Sequence, residues 1–251
     1  MTAWYDNDAL WRDLAPVIFT QERNDKAVGD VEQILTSMPL PPGASVLDVG
    51  CGVGRHALAF AHRGFQVTGI DRMREYLDSA QSLARDQKVN IEFTRADMRQ
   101  FRREHAFDLA VNLLTSFGYF DDPEDDLRVL ANIQASLKPG GSVVIELMGR
   151  EVLARVFRER DWQETPDGTI LLEERKVTCD WMWIDLRWMI FRDGAQKEHR
   201  FRLRLYSATE LKDLLTRAGF VDVRAYGSLS GGPYDQTAER LVVVGTRPVA
   251  V

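Results

Sequence analysis

The chain has 251 residues, of which 32 are basic and 38 are acidic, for a net charge of −6. Its 45% hydrophobic and 28% charged residues exclude a disordered or collagen-like chain. The length suits one α/β domain with a modest insertion. The acidic balance argues against nucleic acid or an anionic membrane as the main partner.

Two cysteines, Cys51 and Cys179, are too few for a disulfide framework and are not spaced like a zinc site, which favours a reducing compartment and no metal. The first residues, MTAWYDNDALW, are acidic where a secretory signal would be positively charged. No apolar run reaches the roughly 18 residues that a membrane-spanning helix needs. We therefore expect a cytoplasmic protein without membrane contact.

Strand-like and helix-like segments alternate from Ser45 onward, which is typical of a parallel sheet. A helical N-terminal arm, residues 1–40, precedes them and ends at PLPPG. The predicted strands are 45–49, 66–70, 90–95, 107–113 and 142–148. The predicted helices are 54–63, 73–87 and 124–137, the last ended by KPGG.

The pattern changes after Arg150. A short helix over 150–160 leads to three antiparallel strands, at 169–178, 181–191 and 197–206, with Asp193–Gly194 as a hairpin turn. The earlier pattern then resumes with a helix over 208–220 and strands near 221–226 and 240–246. We therefore predict an arm, residues 1–40, and an α/β domain, residues 41–251, with a β-meander inserted at about 166–206.

The segment VLDVGCGVGRHALAF is a strand that ends in Gly50, Gly52 and Gly54 and opens into a helix. Glycines let a ligand approach the backbone, and the helix start supplies free N–H groups. A dinucleotide fingerprint does not fit, because the third glycine comes one place early and Arg55 takes its position. Asp48 would repel a pyrophosphate but suits a ligand with an ammonium and a sulfonium, which favours S-adenosylmethionine.

Three sequences in this order, DVGCGVG, VTGID and RADM, resemble the motifs of the class I S-adenosylmethionine-dependent methyltransferases. The resemblance covers about residues 40–150 and is supported by LTRAGF near the C-terminus. It implies a Rossmann-like sheet, mostly parallel with the last strand antiparallel, and helices on both faces. The sequences ADMRQF and NLLTSFGYF further resemble the bacterial small-molecule branch that includes the amino-sugar N,N-dimethyltransferases.

The resemblance also implies roles for individual residues. Asp71 would bind both ribose hydroxyls, Asp97 would accept a hydrogen bond from the adenine amino group, and Met98 would contact the ring. Arg23 of the arm, which would act as a lid, is a candidate to pair with the methionine carboxylate, and an exposed surface position is the alternative. The full set of expected cofactor-binding residues is Arg23, Asp48, Gly50, Cys51, Gly52, Gly54, Asp71, Arg72, Asp97, Met98 and Asn112.

The acceptor is expected between the loop Thr115–Tyr119 and Glu146, because open α/β sheets bind ligands at the point where strand order reverses. Tyr119, Glu146 and His56 are the candidates to remove a proton from the acceptor. A structural hydrogen bond remains the alternative role for His56, and a surface or anchoring role for Glu146. The sequence after the fourth predicted strand lacks the prolines of DNA amino-methyltransferases, which argues against a DNA base as acceptor.

We expect transfer of a methyl group from S-adenosylmethionine to an N or O atom of a small molecule, with S-adenosylhomocysteine as product. Two alternatives remain open: an S-adenosylmethionine-dependent cyclase or alkyl transferase on the same scaffold, and a non-catalytic nucleotide-binding module or nicotinamide enzyme. The tryptophans of the meander, at 181, 183 and 188, suggest packing or a homodimer contact before an acceptor pocket.

Overall fold

The computed structural model describes residues 3–249. The first two residues of the predicted arm and the last two of the predicted α/β domain therefore lie outside the described residues. After a 3-10 helix, Trp4–Asp6, the helices are α1 Asp8–Ile18, α2 Gln21–Ser37, α3 Arg55–His62, α4 Arg74–Asp86, α5 Pro123–Ser136, α6 Arg150–Val156 and α7 Ala208–Arg217. The strands are β1 Ser45–Val49, β2 Gln66–Asp71, β3 Ile91–Arg95, β4 Phe107–Asn112, β5 Leu137–Leu147, β6 Arg160–Glu164, β7 Ile170–Thr178, β8 Trp183–Arg192, β9 Ala195–Arg204, β10 Val221–Tyr226 and β11 Leu241–Thr246.

Seven strands form the main sheet in the order β10-β11-β5-β4-β1-β2-β3. Strands β1 to β5 pair in parallel, and β11 is antiparallel to both β5 and β10. The predicted Rossmann-like architecture with an antiparallel strand near its end is confirmed. Strand order reverses between β1 and β4, so a crevice opens at the carboxyl ends of these two strands.

Helices cover both faces of this sheet, as predicted. Leu47 and Val49 of β1 belong to one buried cluster, together with residues of α5 and α7. Val46, whose side chain points to the opposite face, belongs to a second cluster with residues of α2 and α3. The sheet therefore lies between two apolar layers, and its polar carboxyl edge is left free to bind a ligand.

The inserted meander is a sheet of four strands, in the order β6-β7-β8-β9. The helix predicted over 150–160 is wrong in its second half, because α6 ends at Val156 and Arg160–Glu164 forms β6. This strand is mostly polar and alternates between exposed and half-buried positions. It is held by pairing with β7, a partner that local sequence does not reveal. The predicted Asp193–Gly194 turn between β8 and β9 is confirmed.

Strand β5 begins at Leu137, five residues before its predicted start at 142. Helix α5 still ends just before KPGG, at Ser136. The KPGG segment stays in the sheet because the backbone of Arg247 pairs with it: the backbone N–H of Gly140 donates to the Arg247 carbonyl oxygen at 3.0 Å, and the Arg247 N–H donates to the Gly141 carbonyl oxygen at 2.8 Å. Long-range pairing therefore overrides a local turn signal.

Helix α1 of the arm packs against the meander on one side and contacts α4 on the other. The Asn7 side chain caps the first turn of this helix. The helix ends at Ile18, two residues after Pro16, and Phe19 is its C-cap residue. Leu10, Leu14 and Val17 pack against residues of β7 and β8. On the other side, Arg12 pairs with Glu75 of α4 at 2.8 Å. No helix within residues 3–249 is both long and apolar enough to span a lipid bilayer.

Candidate active site

A cavity of about 940 Å³ lies at the carboxyl edge of the main sheet. Its walls are the arm, the glycine loop after β1, the loop after β4, and the inner face of β8 and β9. All but two of the residues predicted to form the site line this cavity. They are Arg23, Asp48, Gly50, Cys51, Gly52, His56, Asp71, Arg72, Asp97, Met98, Tyr119 and Glu146.

Gly54 and Asn112 are the two that do not line the cavity. A Cβ on Gly54 would lie 3.0 Å from the Phe93 ring and 3.1 Å from Ala80, so this glycine allows close packing behind the loop. The Asn112 amide nitrogen donates to the carbonyl oxygens of Val49, at 2.9 Å, and Ser116, at 3.3 Å. In this structure Gly54 packs against residues behind the glycine loop, and Asn112 joins the end of β1 to the loop after β4.

The glycine loop is held tightly against β2. The N–H groups of Gly50 and Cys51 donate to the Ile70 carbonyl oxygen at 2.8 and 3.0 Å. Gly52 has a φ of +56°, a conformation that side-chain-bearing residues rarely adopt. A Cβ on Gly52 would also lie 2.9 Å from the Phe19 ring of the arm. The arm therefore contacts the loop directly.

Asp71 ends β2 and joins the loop to the start of α4. Its Oδ2 accepts from the Gly52 N–H at 2.9 Å, and its Oδ1 accepts from the Met73 N–H at 2.8 Å. Burial raises the pKa of this carboxyl, and the two N–H groups oppose the rise. A carboxylate has about four acceptor positions, so Asp71 keeps capacity for two further donors from the cavity.

Asp48 is a buried acid at the end of β1. It is 2% exposed, and its Oδ2 has no hydrogen-bond partner among the described residues. Burial raises its pKa to about 6, although the neighbouring His56 and Arg55 oppose the rise. An unpartnered buried carboxylate beside a cavity suits a positively charged ligand.

We expect Asp48→Asn to stabilise the protein at neutral and higher pH and not near pH 4. The folded state binds the Asp48 proton more tightly than the unfolded chain does. The stability that this tighter proton binding contributes is complete below the ordinary pKa of 3.8 and is lost as the pH rises through about 6. At about pH 8 the variant should gain about 1–3 kcal/mol, or roughly 5 °C in Tm, with no gain at about pH 4. Thermal melts at both pH values test this; an equal gain at both would assign the effect to packing.

Two of the predicted cofactor-binding residues are engaged with charged neighbours. Asp97 accepts hydrogen bonds from the Arg99 side chain at 2.6 to 3.1 Å, and this pairing holds its pKa below the usual range despite partial burial. Arg72 pairs with Asp8 at 2.9 Å and with Asp6 at 3.5 Å, both in the arm. Arg72 therefore ties the arm to the end of β2, and Asp97 has little acceptor capacity left.

Glu146 is an anchoring residue in this structure. It is 3% exposed, pairs with Arg240, and accepts from the Leu114 N–H at 2.6 Å. Leu114 and Thr115 have φ values of +55° and +64°, so the Glu146 carboxylate holds a strained turn after β4. Of the two roles left open by the sequence, anchoring is the one with visible contacts.

Arg240 was not predicted from the sequence. It is the last residue of an irregular loop, residues 227–240, and its second guanidinium nitrogen donates to the Thr115 hydroxyl at 3.0 Å. No motif surrounds Arg240 in the sequence, so only the approach of this loop to β5 reveals it.

His56 and Tyr119 lie on different walls of the cavity. His56 is 5% exposed, and its Nε2 lies 3.2 Å from the Asp30 Oδ2 of α2. The Tyr119 ring packs against Trp4 and Trp11 of the arm, with centroid distances of 5.0 and 5.9 Å. Burial, and then the charge of Asp71, raise the pKa of the Tyr119 hydroxyl. Tyr119 is therefore suited to donating a hydrogen bond and poorly suited to accepting a proton.

The Cys51 thiol is buried and lies next to Gly69 of β2. Burial raises its pKa well above the usual range, and the charges of Asp48 and Asp71 raise it further. A protonated thiol is a weak nucleophile, so the chemistry available to Cys51 is that of its backbone and its apolar sulfur.

Comparison with known proteins shows a methyltransferase domain and similar folds. Residues 46–141 match the family model of methyltransferase domains. A protein named as a methyltransferase in Geobacillus sp. strain WCH70 is 23% identical over 256 residues, spanning 97% of this chain and 99% of that protein. In structure, an S-adenosylmethionine-dependent methyltransferase from Clostridium acetobutylicum is similar with a TM-score of 0.79 and 17% identity, covering 95% of this chain and 99% of that one.

An S-adenosylmethionine-bound amino pentose methyltransferase from Micromonospora echinaspora is also similar, with a TM-score of 0.65 and 22% identity, covering 96% of this chain and 95% of that one. A methyltransferase domain is thereby shown over residues 46–141, and the predicted fold is confirmed. The site residues fit such a cofactor in kind: the unpartnered Asp48 oxygen suits a positive charge, and Asp71 keeps acceptor positions for hydroxyl donors.

Proposed function

We propose that this chain, which has a methyltransferase domain over residues 46–141, transfers a methyl group from S-adenosylmethionine to an N or O atom of a small molecule and releases S-adenosylhomocysteine. The observation that carries the proposal is one cavity at the β1/β4 crevice that contains the glycine loop, Asp48 and Asp71 together. When bound, S-adenosylmethionine supplies a methyl group on a positively charged sulfur that a nucleophile can displace. The chain's task is to orient the acceptor toward that methyl group and to exclude water.

Asp71 and Asp48, at the carboxyl edge of the sheet, would bind different parts of the cofactor. Asp71 has acceptor capacity for two ribose hydroxyls, and Asp48 offers negative charge where positive charge is needed. We propose that Arg23, Gly50, Cys51, Met98 and the remaining motif residues complete this part of the site. For Asp97, accepting from an adenine amino group requires that it share its oxygens with Arg99.

The acceptor would lie between the loop Thr115–Tyr119 and Glu146. His56, hydrogen-bonded to Asp30, is the candidate base with the best geometry, because an imidazole can accept a proton that a nearby carboxylate then stabilises. Tyr119 would orient the acceptor through its hydroxyl or ring. The similarity to an amino pentose methyltransferase supports a small amine-bearing acceptor.

An acceptor screen tests the proposal. The protein is incubated with S-adenosylmethionine carrying a labelled methyl group and with panels of amines, alcohols and carboxylic acids, and the label is followed into product. Release of S-adenosylhomocysteine with a methylated acceptor is the expected result. Release of methylthioadenosine would instead indicate the cyclase or alkyl transferase alternative. Calorimetry with S-adenosylmethionine and NAD side by side tests the nicotinamide alternative.

We expect Tyr119→Phe and Glu146→Gln to lower turnover by roughly 10-fold or more while leaving S-adenosylmethionine affinity nearly unchanged. Tyr119→Phe removes one hydroxyl, and Glu146→Gln removes the charge that pairs with Arg240 and holds the Leu114–Thr115 turn. Steady-state kinetics and calorimetry separate the two effects. Lost cofactor affinity with normal turnover at saturation would move both residues out of the acceptor site.

The arm, residues 1–40, is proposed to act as a lid. Phe19 of the arm contacts Gly52, and Asp8 of the arm pairs with Arg72, directly after β2. These contacts lie over the expected cofactor site. A ligand must therefore enter past the arm or wait for it to move. The protein is further proposed to work in the cytoplasm on a small molecule without nucleic acid. A homodimer through the meander is proposed only as an arrangement to test by light scattering.

A further inference from the structure

Strand β6, Arg160–Glu164, lies at one edge of the four-stranded meander. It pairs with β7 on one side, and within residues 3–249 no strand pairs with its other side. Two hydrogen bonds just beyond its ends fix the pairing: the Thr165 N–H donates to the Thr169 carbonyl oxygen at 2.9 Å, and the Arg175 N–H donates to the Glu159 carbonyl oxygen at 2.8 Å. Hydrogen-bonded pairs alternate along an antiparallel ladder. The odd-numbered positions of β6 therefore bond to β7, and the even-numbered positions direct their N–H and carbonyl groups away from it.

The even-numbered positions also share the exposed face of this strand. They are Arg160, Trp162 and Glu164, and the two residues between them are half-buried. The Trp162 side chain is 64% exposed. On the same face it neighbours Leu172 of β7, which in turn neighbours Met189 of β8, and both of these are half-buried. A row of apolar side chains therefore crosses the meander and ends in an exposed tryptophan at the free edge.

The charges on this edge are opposite in sign and equally far from Trp162. The Arg160 side chain is 83% exposed, and its partner Glu174, at 3.6 Å, is bound more closely by Arg187, at 2.9 Å. In the part of the chain that the structure describes, Glu164 has no cationic group within 4.0 Å. Charges of one sign along an edge strand keep two copies of a protein apart, whereas this arrangement is complementary to itself.

We propose that β6 pairs antiparallel with β6 of a second copy of this chain, about a two-fold axis at Trp162, and joins the two four-stranded meanders into one continuous sheet. Arg160 then lies opposite Glu164 of the partner subunit, and Trp162 lies opposite Trp162 of the partner subunit. The main-chain groups that point away from β7 meet as hydrogen-bonded pairs in this register. Opposite charges and aromatic rings facing each other across two strands are stabilising, and a two-fold axis forms each contact twice.

The pairing replaces one local contact. In the single chain the Trp162 N–H donates to the Asp161 Oδ1 at 3.0 Å. A main-chain hydrogen bond to the partner would take its place, while Asp161 keeps Arg175 at 3.5 Å. A strand of five residues forms a small interface, so we expect a dimer that dissociates on dilution. This inference goes beyond the proposed function, because it gives the homodimer a defined contact and needs neither cofactor nor acceptor.

Charge reversal tests the proposed register. The parent, Arg160→Glu and Glu164→Arg are compared by sedimentation velocity over a range of protein concentrations, with Arg74→Glu as control, since Arg74 is 74% exposed on α4. The parent and the control should form the same concentration-dependent dimer. Each of the other two variants places like charges opposite each other at both ends of the paired strands, so its dimer should be weaker by about 10-fold or more.

Two further samples should restore the dimer. When Arg160→Glu and Glu164→Arg are mixed in equal amounts, every arginine can again face a glutamate, so a heterodimer is expected. The double variant, with both substitutions in one chain, should likewise dimerise as the parent does. Thermal melts of each variant check that it is folded, which is expected because both positions are exposed. Recovery of this kind would not follow from a general effect of charge on solubility.

Cross-linking tests the position of the two-fold axis. Trp162→Cys and Gln163→Cys are each made together with Cys179→Ser, because Cys179 is exposed and Cys51 is buried. At position 162 the two Cα atoms would lie about 5.5 Å apart, within the range of a disulfide. At position 163 the two thiols would be displaced along the strands and out of reach. Mild oxidation should therefore link Trp162→Cys into dimers and leave Gln163→Cys as single chains.

Three results would overturn the inference. They are a parent that stays monomeric at every concentration at which it is soluble, a dimer that neither charge reversal weakens, and equal cross-linking at positions 162 and 163. None of these measurements uses S-adenosylmethionine or an acceptor. Failure of the β6 contact is therefore distinguishable from failure of the proposed function.

Discussion

Replacing Asp71 by alanine is expected to lower the affinity for S-adenosylhomocysteine by about 100-fold or more. Two hydrogen bonds from ribose hydroxyls to a carboxylate contribute about 1.5–3 kcal/mol each, and a loss of about 3–6 kcal/mol corresponds to at least that factor. Asp71 also binds the Gly52 and Met73 N–H groups at 2.9 and 2.8 Å. The alanine variant therefore loses both the proposed ligand contacts and part of the organisation of the loop.

Asp71→Asn separates these two effects. The amide keeps one acceptor oxygen for a backbone N–H but cannot accept with both sides, so its affinity should fall between those of the parent and the alanine variant. Calorimetry gives the affinities, and thermal melts show how much of the loss reflects a loosened loop. A folded alanine variant that binds S-adenosylhomocysteine within a few-fold of the parent would remove Asp71 from the proposed site.

The sequence could predict this part of the site because its contacts are local to two neighbouring βα units. Parallel pairing of β1 with β2 matches Val49 to Ile70, so the glycine loop and Asp71 must meet at the same edge of the sheet. The positive φ at Gly50 and Gly52 likewise follows from a tight turn that only glycine adopts easily. Chain order and turn chemistry together are enough to place these residues.

Contacts between distant segments could not be predicted in this way. Arg240 reaches Glu146 across 94 positions in the chain, and Asp30 reaches His56 from a helix of the arm. Strand β6 was missed for the same reason, since its polar residues are held by pairing with β7. In each case the partner is set by packing of the arm, the meander and the 227–240 loop, and these segments carry no recognisable motif.

At the acceptor end of the cavity, the sequence leaves Glu146 open between a catalytic role and a surface or anchoring role. In the structure its charge is balanced by Arg240 and its oxygen holds the Leu114–Thr115 turn. A carboxylate that is paired in this way stabilises the shape of the pocket more directly than it attracts a proton. Acceptor choice is therefore expected to follow the shape of the loop after β4 and the aromatic wall of Trp4, Trp11 and Tyr119.

Gly52→Val is expected to abolish measurable S-adenosylhomocysteine binding and to release the arm. Two separate effects combine at this position. The backbone has a φ of +56°, which a β-branched residue adopts only with strain, and the added Cβ would lie 2.9 Å from the Phe19 ring. The branched side chain would also project toward the face of the loop where the ligand is proposed to approach.

Gly64→Val isolates the backbone effect. Gly64 has a φ of +83° in the turn after α3, and nothing lies within 4 Å of its Cβ position. Both variants should lose about 1–2 kcal/mol of stability from strain, but only Gly52→Val should lose ligand binding and expose the arm to protease. Calorimetry, thermal melts and proteolysis of the two variants side by side make the test. Equal loss of binding in both would mean that strain near α3, rather than contact between Phe19, the ligand and the glycine loop, controls the site.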